Sequence, residues 1–173
     1  NKAHNLKEGW SYPIDDNLPD YGENSSFGGV YTEGVEGSPA YFNFTGGTIS
    51  RNVASSGGGV MVWTHSVFTM NGSDALISEN CAAGNAAGSG VGNGGAVYVQ
   101  GGTFNLMNGK LIGNRAVRYG GAVNTNQSAT FTISGNTEIS ENIANYGGGF
   151  SQEQGACTMS LNGSGIKIKN NIA

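Results

Sequence analysis

The sequence predicts an all-β fold: a right-handed, single-stranded parallel β-helix (solenoid) of about five rungs with an N-terminal cap. Two repeated markers and the composition predict it. The first marker is an apolar residue followed three positions later by Asn and five later by Ala. The second is a glycine two positions before an apolar residue. Both occur five times in one register, which is typical of a solenoid, whose repeats bury their apolar faces on their neighbours.

The markers keep step along the chain. The marker asparagines are Asn52, Asn80, Asn114, Asn142 and Asn171, separated by 28, 34, 28 and 29 residues. The marker glycines are Gly28, Gly58, Gly95, Gly121 and Gly148. We expect the asparagines to form an amide ladder, as stacked Asn side chains do in cross-β assemblies. The marker Ala is expected to point inward where the coil turns. The glycines are expected to allow a positive φ or a close backbone approach.

The composition favours strands over helices. The chain has 31 glycines among 173 residues, and no apolar residues recur at helical spacing over three turns. Five segments instead alternate at period two: Phe42-x-Phe44, Phe68-x-Met70, Phe104-x-Leu106, Phe131-x-Ile133 and Met159-x-Leu161. Each repeat is thus predicted to hold this strand, a short strand ending at the marker Asn, and a strand opening at the marker glycine. Stacked copies lie about 4.8 Å apart, and parallel crossovers are right-handed by strong default.

The chain divides into residues 1–26 and the repeats of residues 27–173. Residues 1–26 lack both markers and are predicted to cap the first rung; an acidic cation-binding loop is the alternative, although its aspartates lack the spacing of a calcium loop. Residues 83–92 are predicted to be a surface insertion of small residues. Because the last rung ends on the repeat marker at Ala173, we expect the array to continue beyond it or to dock on another chain.

A family resemblance appears in the sequences Gly94-Gly95-Ala96-Val97 and Gly120-Gly121-Ala122-Val123, each of which follows an apolar-x-x-Asn. They resemble the paired GGA[ILV] and FxxN repeats of the polymorphic membrane protein passengers, a group of autotransported adhesins. The resemblance covers residues 27–173. This chain departs from the family in having Ile or Leu before the Asn and GGGV or GGGF in two copies. The resemblance implies an extracellular, cell-surface adhesin or stalk that binds a host receptor or glycan.

Charge, hydropathy and cysteine content limit the partners and the environment expected for this chain. The net charge is −4, with 12% charged residues and no basic run, which argues against nucleic acid as a partner. No apolar run approaches 18 residues, so membrane insertion by this segment is not expected. Cys81 and Cys157 fall in different rungs, too far apart for a disulfide, and are predicted to be free, largely buried thiols. No cofactor is expected.

Catalytic groups are sparse. Polysaccharide-cleaving β-helices need clustered carboxylates, or carboxylates around a metal. The repeats contain one aspartate and scattered glutamates, of which only Glu138 and Glu141 form a candidate pair. His4 and His65 are isolated, so neither a triad nor a metal site is predicted. Arg51 and Glu79 are expected to form a surface ion pair between rungs. We therefore expect a non-enzymatic protein, with a carbohydrate-binding or polysaccharide-degrading domain as one alternative.

Two tyrosines give a candidate binding surface. Tyr119 and Tyr146 share a column and are expected to stack, either as a platform for a sugar or protein or as a stabilising cross-strand pair. Arg115 and Arg118 are placed on the same turn as a cationic edge. An ice-binding face is disfavoured because its column, assigned as Thr69, Thr132 and Thr158, is interrupted at residue 105. The predicted function is a surface scaffold or adhesin, and the other alternative is a filament of copies joined end to end.

Overall fold

A computed structural model describes residues 27–84 and 92–173. It confirms the predicted all-β fold: parallel sheets stack as a β-solenoid of about five turns, and the described residues contain no helix. The strands are β1 (Val30–Thr32), β2 (Ala40–Phe44), β3 (Thr48–Ser50), β4 (Val53–Ala54), β5 (Val60–Val62), β6 (Ser66–Ser78), β7 (Cys81–Ala82), β8 (Val97–Gln100), β9 (Thr103–Ile112), β10 (Arg115–Tyr119), β11 (Val123–Asn126), β12 (Thr130–Ser134), β13 (Thr137–Ser140), β14 (Ile143–Tyr146), β15 (Phe150–Gln152), β16 (Thr158–Asn162) and β17 (Lys167–Lys169).

The strands form three faces around one core. The first face has the order β1-β5-β8-β11-β15, and the third has the order β4-β7-β10-β14. The second face contains β2, β3, β6, β9, β12, β13, β16 and β17. Strands from successive coils pair in parallel, as in Val60 with Val97 and Val97 with Val123.

The core is built from columns of identical or similar side chains. Phe68, Phe104 and Phe131 are fully buried, and their rings stack with centroids 4.7 and 5.1 Å apart. Phe42 extends the column at 5.0 Å. The period-two alternation of the predicted strands is confirmed on the second face. Each aromatic pair adds about 0.5–1.5 kcal/mol beyond the burial of its area, so the stack favours this register of the coils.

The third face was not predicted. The sequence placed a turn after each marker Asn, whereas strands β4, β7, β10 and β14 begin there. The expected inward position of the marker Ala is seen, because Ala82, Ala116 and Ala144 are buried together. These strands are as short as two residues and bury only a methyl group, so they leave no apolar alternation in the sequence.

The marker asparagines form a hydrogen-bonded column where the second face meets the third. From each coil to the next, the side-chain Nδ2 donates to Oδ1 of the following Asn at 2.9–3.0 Å. The backbone N–H of the same residue donates to the same oxygen at 2.9–3.1 Å. Nδ2 of Asn80, Asn114 and Asn142 also donates back to a carbonyl of the preceding coil. The ladder therefore satisfies buried polar groups within the protein.

The residue before each ladder Asn has a left-handed backbone. Its φ is between 54° and 65° at Arg51, Glu79, Gly113, Glu141 and Asn170. Only one of these five is glycine, although glycine is the residue that adopts this conformation at least cost. The predicted ion pair is present in this column, since Arg51 Nε lies 2.7 Å from Glu79 Oε2. Both side chains are exposed, so the pair contributes little to stability.

Replacing Glu141 by glycine is expected to stabilise the fold by about 0.5–1 kcal/mol. The gain is the relief of a left-handed side-chain conformation, reduced by the greater entropy of glycine in the unfolded chain. Urea unfolding of the variant measures it. Glu141→Ala is the matched control, because it removes the same carboxylate but keeps a Cβ. An equal change in both variants would mean that charge, and not backbone conformation, is responsible.

The glycine corner joins the third face to the first. Gly57, Gly94, Gly120 and Gly147, just before the marker glycines, have φ between 59° and 66°. The marker glycines lack room for a side chain: a Cβ on Gly58 would lie 2.6 Å from the carbonyl carbon of Cys81. A Cβ on Gly95 would collide with the carbonyl oxygen of Gly121. The positive-φ glycines are crowded as well, because a Cβ on Gly94 or Gly120 would collide with the carbonyl oxygen of Val97 or Val123. Close approach thus applies to both glycines of the corner, and positive φ to the first.

The threonine column was assigned wrongly. On the outer side of the second face, Thr158 pairs with Thr130, while Thr132 pairs with Asn105 and with Ser160. Thr69 lies opposite Asn105 in the latter column. Thr158 therefore stands two residues from the column that contains Thr69 and Thr132. Alternation at period two does not separate positions two residues apart, and this ambiguity caused the error.

Some expectations fall outside the described residues. These are the cap or cation-binding role of residues 1–26, with His4, and residues 85–91 of the insertion predicted at residues 83–92. Cys81 and Cys157 are both free as predicted, the first buried and the second half-buried. In the part of the chain that the structure describes, no helix is both long and apolar enough to span a membrane.

Candidate binding surface at the junction of the third and first faces

Two tyrosines and an arginine meet at the end of the third face. Tyr119 on β10 is the register partner of Tyr146 on β14, and their ring centroids lie 5.1 Å apart at an interplanar angle of 33°. The guanidinium carbon of Arg118 lies 4.6 Å from the centroid of the Tyr119 ring. Tyr146 is 59% exposed. We call Arg118, Tyr119 and Tyr146 the tyrosine–arginine surface.

Backbone pairing between coils sets the positions of the two tyrosines. The register of β10 against β14 shifts between Ala116 and Tyr119, and such an irregularity re-aims the side chains that follow it. The carbonyl of Tyr119 accepts from Gly94 N at 2.8 Å, and that of Tyr146 accepts from Gly120 N at 2.9 Å. Each tyrosine thus enters a left-handed glycine turn that is hydrogen-bonded to the neighbouring coil.

A side-chain bond adds to this support. Asn145 Nδ2 donates to the carbonyl oxygen of Val117 at 2.7 Å, which ties β14 to β10 next to the two rings. The rings are therefore presented on paired strands and not on a loop. Side chains held in this way lose less conformational entropy when they bind a ligand.

Arg115 occupies a different place from the one expected. The sequence placed Arg115 and Arg118 on one turn. In the structure both lie on strand β10, where Arg115 is the first residue and Arg118 the fourth. Arg115 pairs in register with Cys81 and Ile143. Burial raises the pKa of the Cys81 thiol to about 12, and the positive charge of Arg115 opposes this rise. The Cys81 thiol therefore stays protonated near neutral pH.

A polar cluster lies nearby on the outer side of the first face. Asn124 is buried; its Nδ2 donates to Glu153 Oε1, and its Oδ1 accepts from Ser151 Oγ at 2.8 Å. Tyr98 is 6% exposed, and its hydroxyl oxygen accepts from Asn126 Nδ2 at 3.4 Å. Burial is the main cause of the raised pKa of Tyr98, and the charges of Glu153 and Arg118 act on it in opposite directions.

Sequence reasoning missed this cluster. The signal that could have found it is the residue that follows the apolar residue of each glycine marker. In successive coils this residue is Tyr31, Met61, Tyr98, Asn124 and Ser151. This column changes from aromatic and apolar to polar along the chain. Glu153 joins it from the segment after β15, outside the repeated pattern, and only the structure brings it to Asn124.

Of the candidate carboxylate pair, Glu138 and Glu141, the first is bound by other side chains. Glu138 Oε1 lies 3.1 Å from Lys169 Nζ and accepts from Ser140 Oγ at 3.0 Å. The hydrogen bond from Lys169 is the main cause of the lowered pKa of Glu138. Glu141 stands at the left-handed position before the ladder, and His65 lies exposed at a turn with φ of 53°. Within residues 27–84 and 92–173, no three His, Cys, Asp or Glu side chains are grouped to hold a metal ion.

The tyrosine–arginine surface offers groups that are suited to binding a ligand. An exposed aromatic ring offers an apolar face, and a guanidinium offers five N–H donors in a planar fork. The resemblance of the repeats to polymorphic membrane protein passengers stays a prediction. No protein family, curated protein or solved structure matches this chain.

Proposed function

We propose that this chain is a non-enzymatic segment of an extracellular surface scaffold or adhesin, and that it binds its partner through the tyrosine–arginine surface. The observation that carries the proposal is the exposed ring of Tyr146, stacked 5.1 Å from Tyr119 on hydrogen-bonded strands. Tyrosine is enriched among the residues that dominate binding energy at protein interfaces. A large, solvent-exposed ring on a hydrogen-bonded strand is suited to such a role.

The coil supplies the scaffold. Its interior columns, namely the Phe stack, the Asn ladder and the glycine corner, recur from coil to coil and contact mainly their neighbours. Each coil extends the solenoid by about 4.8 Å, so length grows by repetition while the outer side chains are free to vary. Such a structure can act as a spacer and also display a binding surface at a fixed height.

The double substitution Tyr119→Ala with Tyr146→Ala tests the proposal. We expect attachment to cells or immobilised glycans to fall by about tenfold or more, because each ring is expected to contribute over about 1 kcal/mol to binding. The fold should persist, since the lost ring pair is worth only about 0.5–1.5 kcal/mol. Attachment is measured by surface plasmon resonance or cell adhesion, with circular dichroism melting of the same samples.

Tyr41→Ala is the matched control. Tyr41 is 69% exposed on the second face, so its removal should leave attachment unchanged. A folded double variant that attaches as well as the unsubstituted chain would reduce the tyrosine pair to a stabilising cross-strand contact and refute the binding role.

Association of copies end to end is the second candidate. It is favoured by apolar side chains of the last coil: Leu161, Ile168 and Ile172 are 47%, 40% and 57% exposed. The counterparts of Leu161 and Ile168 one coil earlier, Ile133 and Ile139, are fully buried. The counterpart of Ile172, Ile143, is half-buried. A coil from a second copy stacked on the last coil would bury its exposed apolar side chains. Rods that lengthen with concentration, seen by light scattering and electron microscopy, would favour this function over partner binding.

A further inference from the structure

We propose that the tyrosine–arginine surface recognises an acidic saccharide, with the guanidinium of Arg118 binding the carboxylate or sulfate group and Tyr146 packing against the sugar ring. The inference rests on the proposed binding function and specifies its ligand. It is carried by the charge of β10 and β14, by the position of Arg118 over Tyr119, and by the exposure of Tyr146.

The local charge is opposite to that of the whole chain. The chain has a net charge of −4, yet β10 carries two of its three arginines, and neither β10 nor β14 contains an acidic residue. Charges on this surface are partly screened by salt but act strongly over a few ångströms. The two strands that carry the surface thus contribute positive charge and no negative charge, which suits an anionic ligand.

Arg118 is placed to bind an anion. Among the described residues, the ion pairs Arg51–Glu79 and Glu138–Lys169 both lie away from Arg118 and do not include it. Its guanidinium lies over the Tyr119 ring at 4.6 Å, which limits its motion without using its hydrogen-bonding capacity. The charge of Glu153 opposes that of Arg118 at Tyr98, and the Glu153 carboxylate accepts a hydrogen bond from Asn124. A planar guanidinium fork matches a carboxylate or sulfate with two parallel hydrogen bonds.

The ring of Tyr146 is the reason for proposing that the ligand is a saccharide. One face of a pyranose presents C–H groups and is apolar, and an exposed aromatic ring packs against such a face. Tyr146 lies one coil beyond Tyr119, so its ring is about one strand spacing, near 4.8 Å, further along the axis. An anionic group at Arg118 and a sugar ring over Tyr146 are therefore within the span of one or two sugar residues. A small inorganic anion would use only the arginine.

The test is direct titration of the whole chain with three oligosaccharides of similar length: an oligogalacturonate, a sulfated chondroitin fragment and neutral cellohexaose. We expect one or both acidic probes to bind and cellohexaose to bind at least about tenfold more weakly. Arg118→Gln should weaken the acidic probe by roughly tenfold to a hundredfold, because charged hydrogen bonds are lost. Arg118→Lys should lose less, since it keeps the charge without the fork. Affinity should fall as salt rises.

Arg51→Gln is the matched control, because Arg51 is an exposed arginine in the column before the ladder; it should leave binding unchanged. Preference for the carboxylated or the sulfated probe identifies the anionic group. Equal binding of cellohexaose, full binding by Arg118→Gln, or no binding of either acidic probe would each overturn the inference. If attachment then still depends on Tyr119 and Tyr146, the binding function stands and only the acidic ligand is refuted.

Discussion

Replacing Asn114 by alanine is expected to lower the free energy of unfolding by about 3–5 kcal/mol, because it breaks the ladder in the middle of the solenoid. The side chain is fully buried. Its Oδ1 accepts from the backbone N and from Nδ2 of Asn80 at 3.1 and 3.0 Å. Its Nδ2 donates to Asn142 Oδ1, and to the carbonyls of Ile77 and Ile112. Alanine leaves the buried backbone N–H of Asn80 without this acceptor.

Urea unfolding followed by circular dichroism measures the loss, and Asn105→Ala is the matched control. Asn105 is in the same coil, on the outer side of β9 between Thr69 and Thr132, and is half-buried. Its replacement should change stability by about 0.5 kcal/mol or less, as is usual for surface positions. Similar losses in the two variants would mean that the ladder adds nothing specific to the stability of the coil.

Replacing Gly121 by alanine is expected to cost about 3 kcal/mol or more, for a steric reason. The new Cβ would collide with the carbonyl oxygen of Gly148, and would lie 2.6 Å from the backbone N and 2.7 Å from the carbonyl oxygen of Ile143. These atoms belong to the backbone of the next coil, which can yield only if the two coils separate. We therefore expect loss of cooperative unfolding or a much lower melting temperature.

Gly113→Ala is the comparison that separates the effect of steric collision from the effect of backbone conformation. Gly113 has a positive φ of 65°, but a methyl group added to its Cα would meet no atom within 4 Å, so alanine there should cost only about 1 kcal/mol. Thermal melts of the two variants give the difference. If Gly113→Ala proved the more harmful, conformation and not the close approach of coils would be the reason for glycine in this fold.

The columns of the coil could be predicted because equal spacing places equivalent residues at the same position of each coil. This reasoning was enough for the Asn ladder and for the stacking of Tyr119 on Tyr146. It failed where spacing gives no signal. The third face has strands of as few as two residues around a buried Ala, and Thr158 lies two residues from the position assigned to it.

The polar cluster near the tyrosine–arginine surface could not be predicted. Asn124 and Glu153 are 29 residues apart, close to one repeat, but Glu153 has no counterpart in the marker pattern. Its contact depends on the path of the chain after β15, which tertiary packing sets. Arg118 was predicted as a cationic edge of the tyrosine pair, but its position over the Tyr119 ring was not.

The Asn ladder gives the solenoid a direction. Every amide-to-amide bond runs the same way, from Nδ2 of one coil to Oδ1 of the coil that follows it in sequence. Two copies that meet through like ends would set donor against donor or acceptor against acceptor. Only a head-to-tail junction continues the ladder across the boundary. A fibre in which the ladder continues from copy to copy is therefore polar, with two chemically different ends, and can grow from each at its own rate.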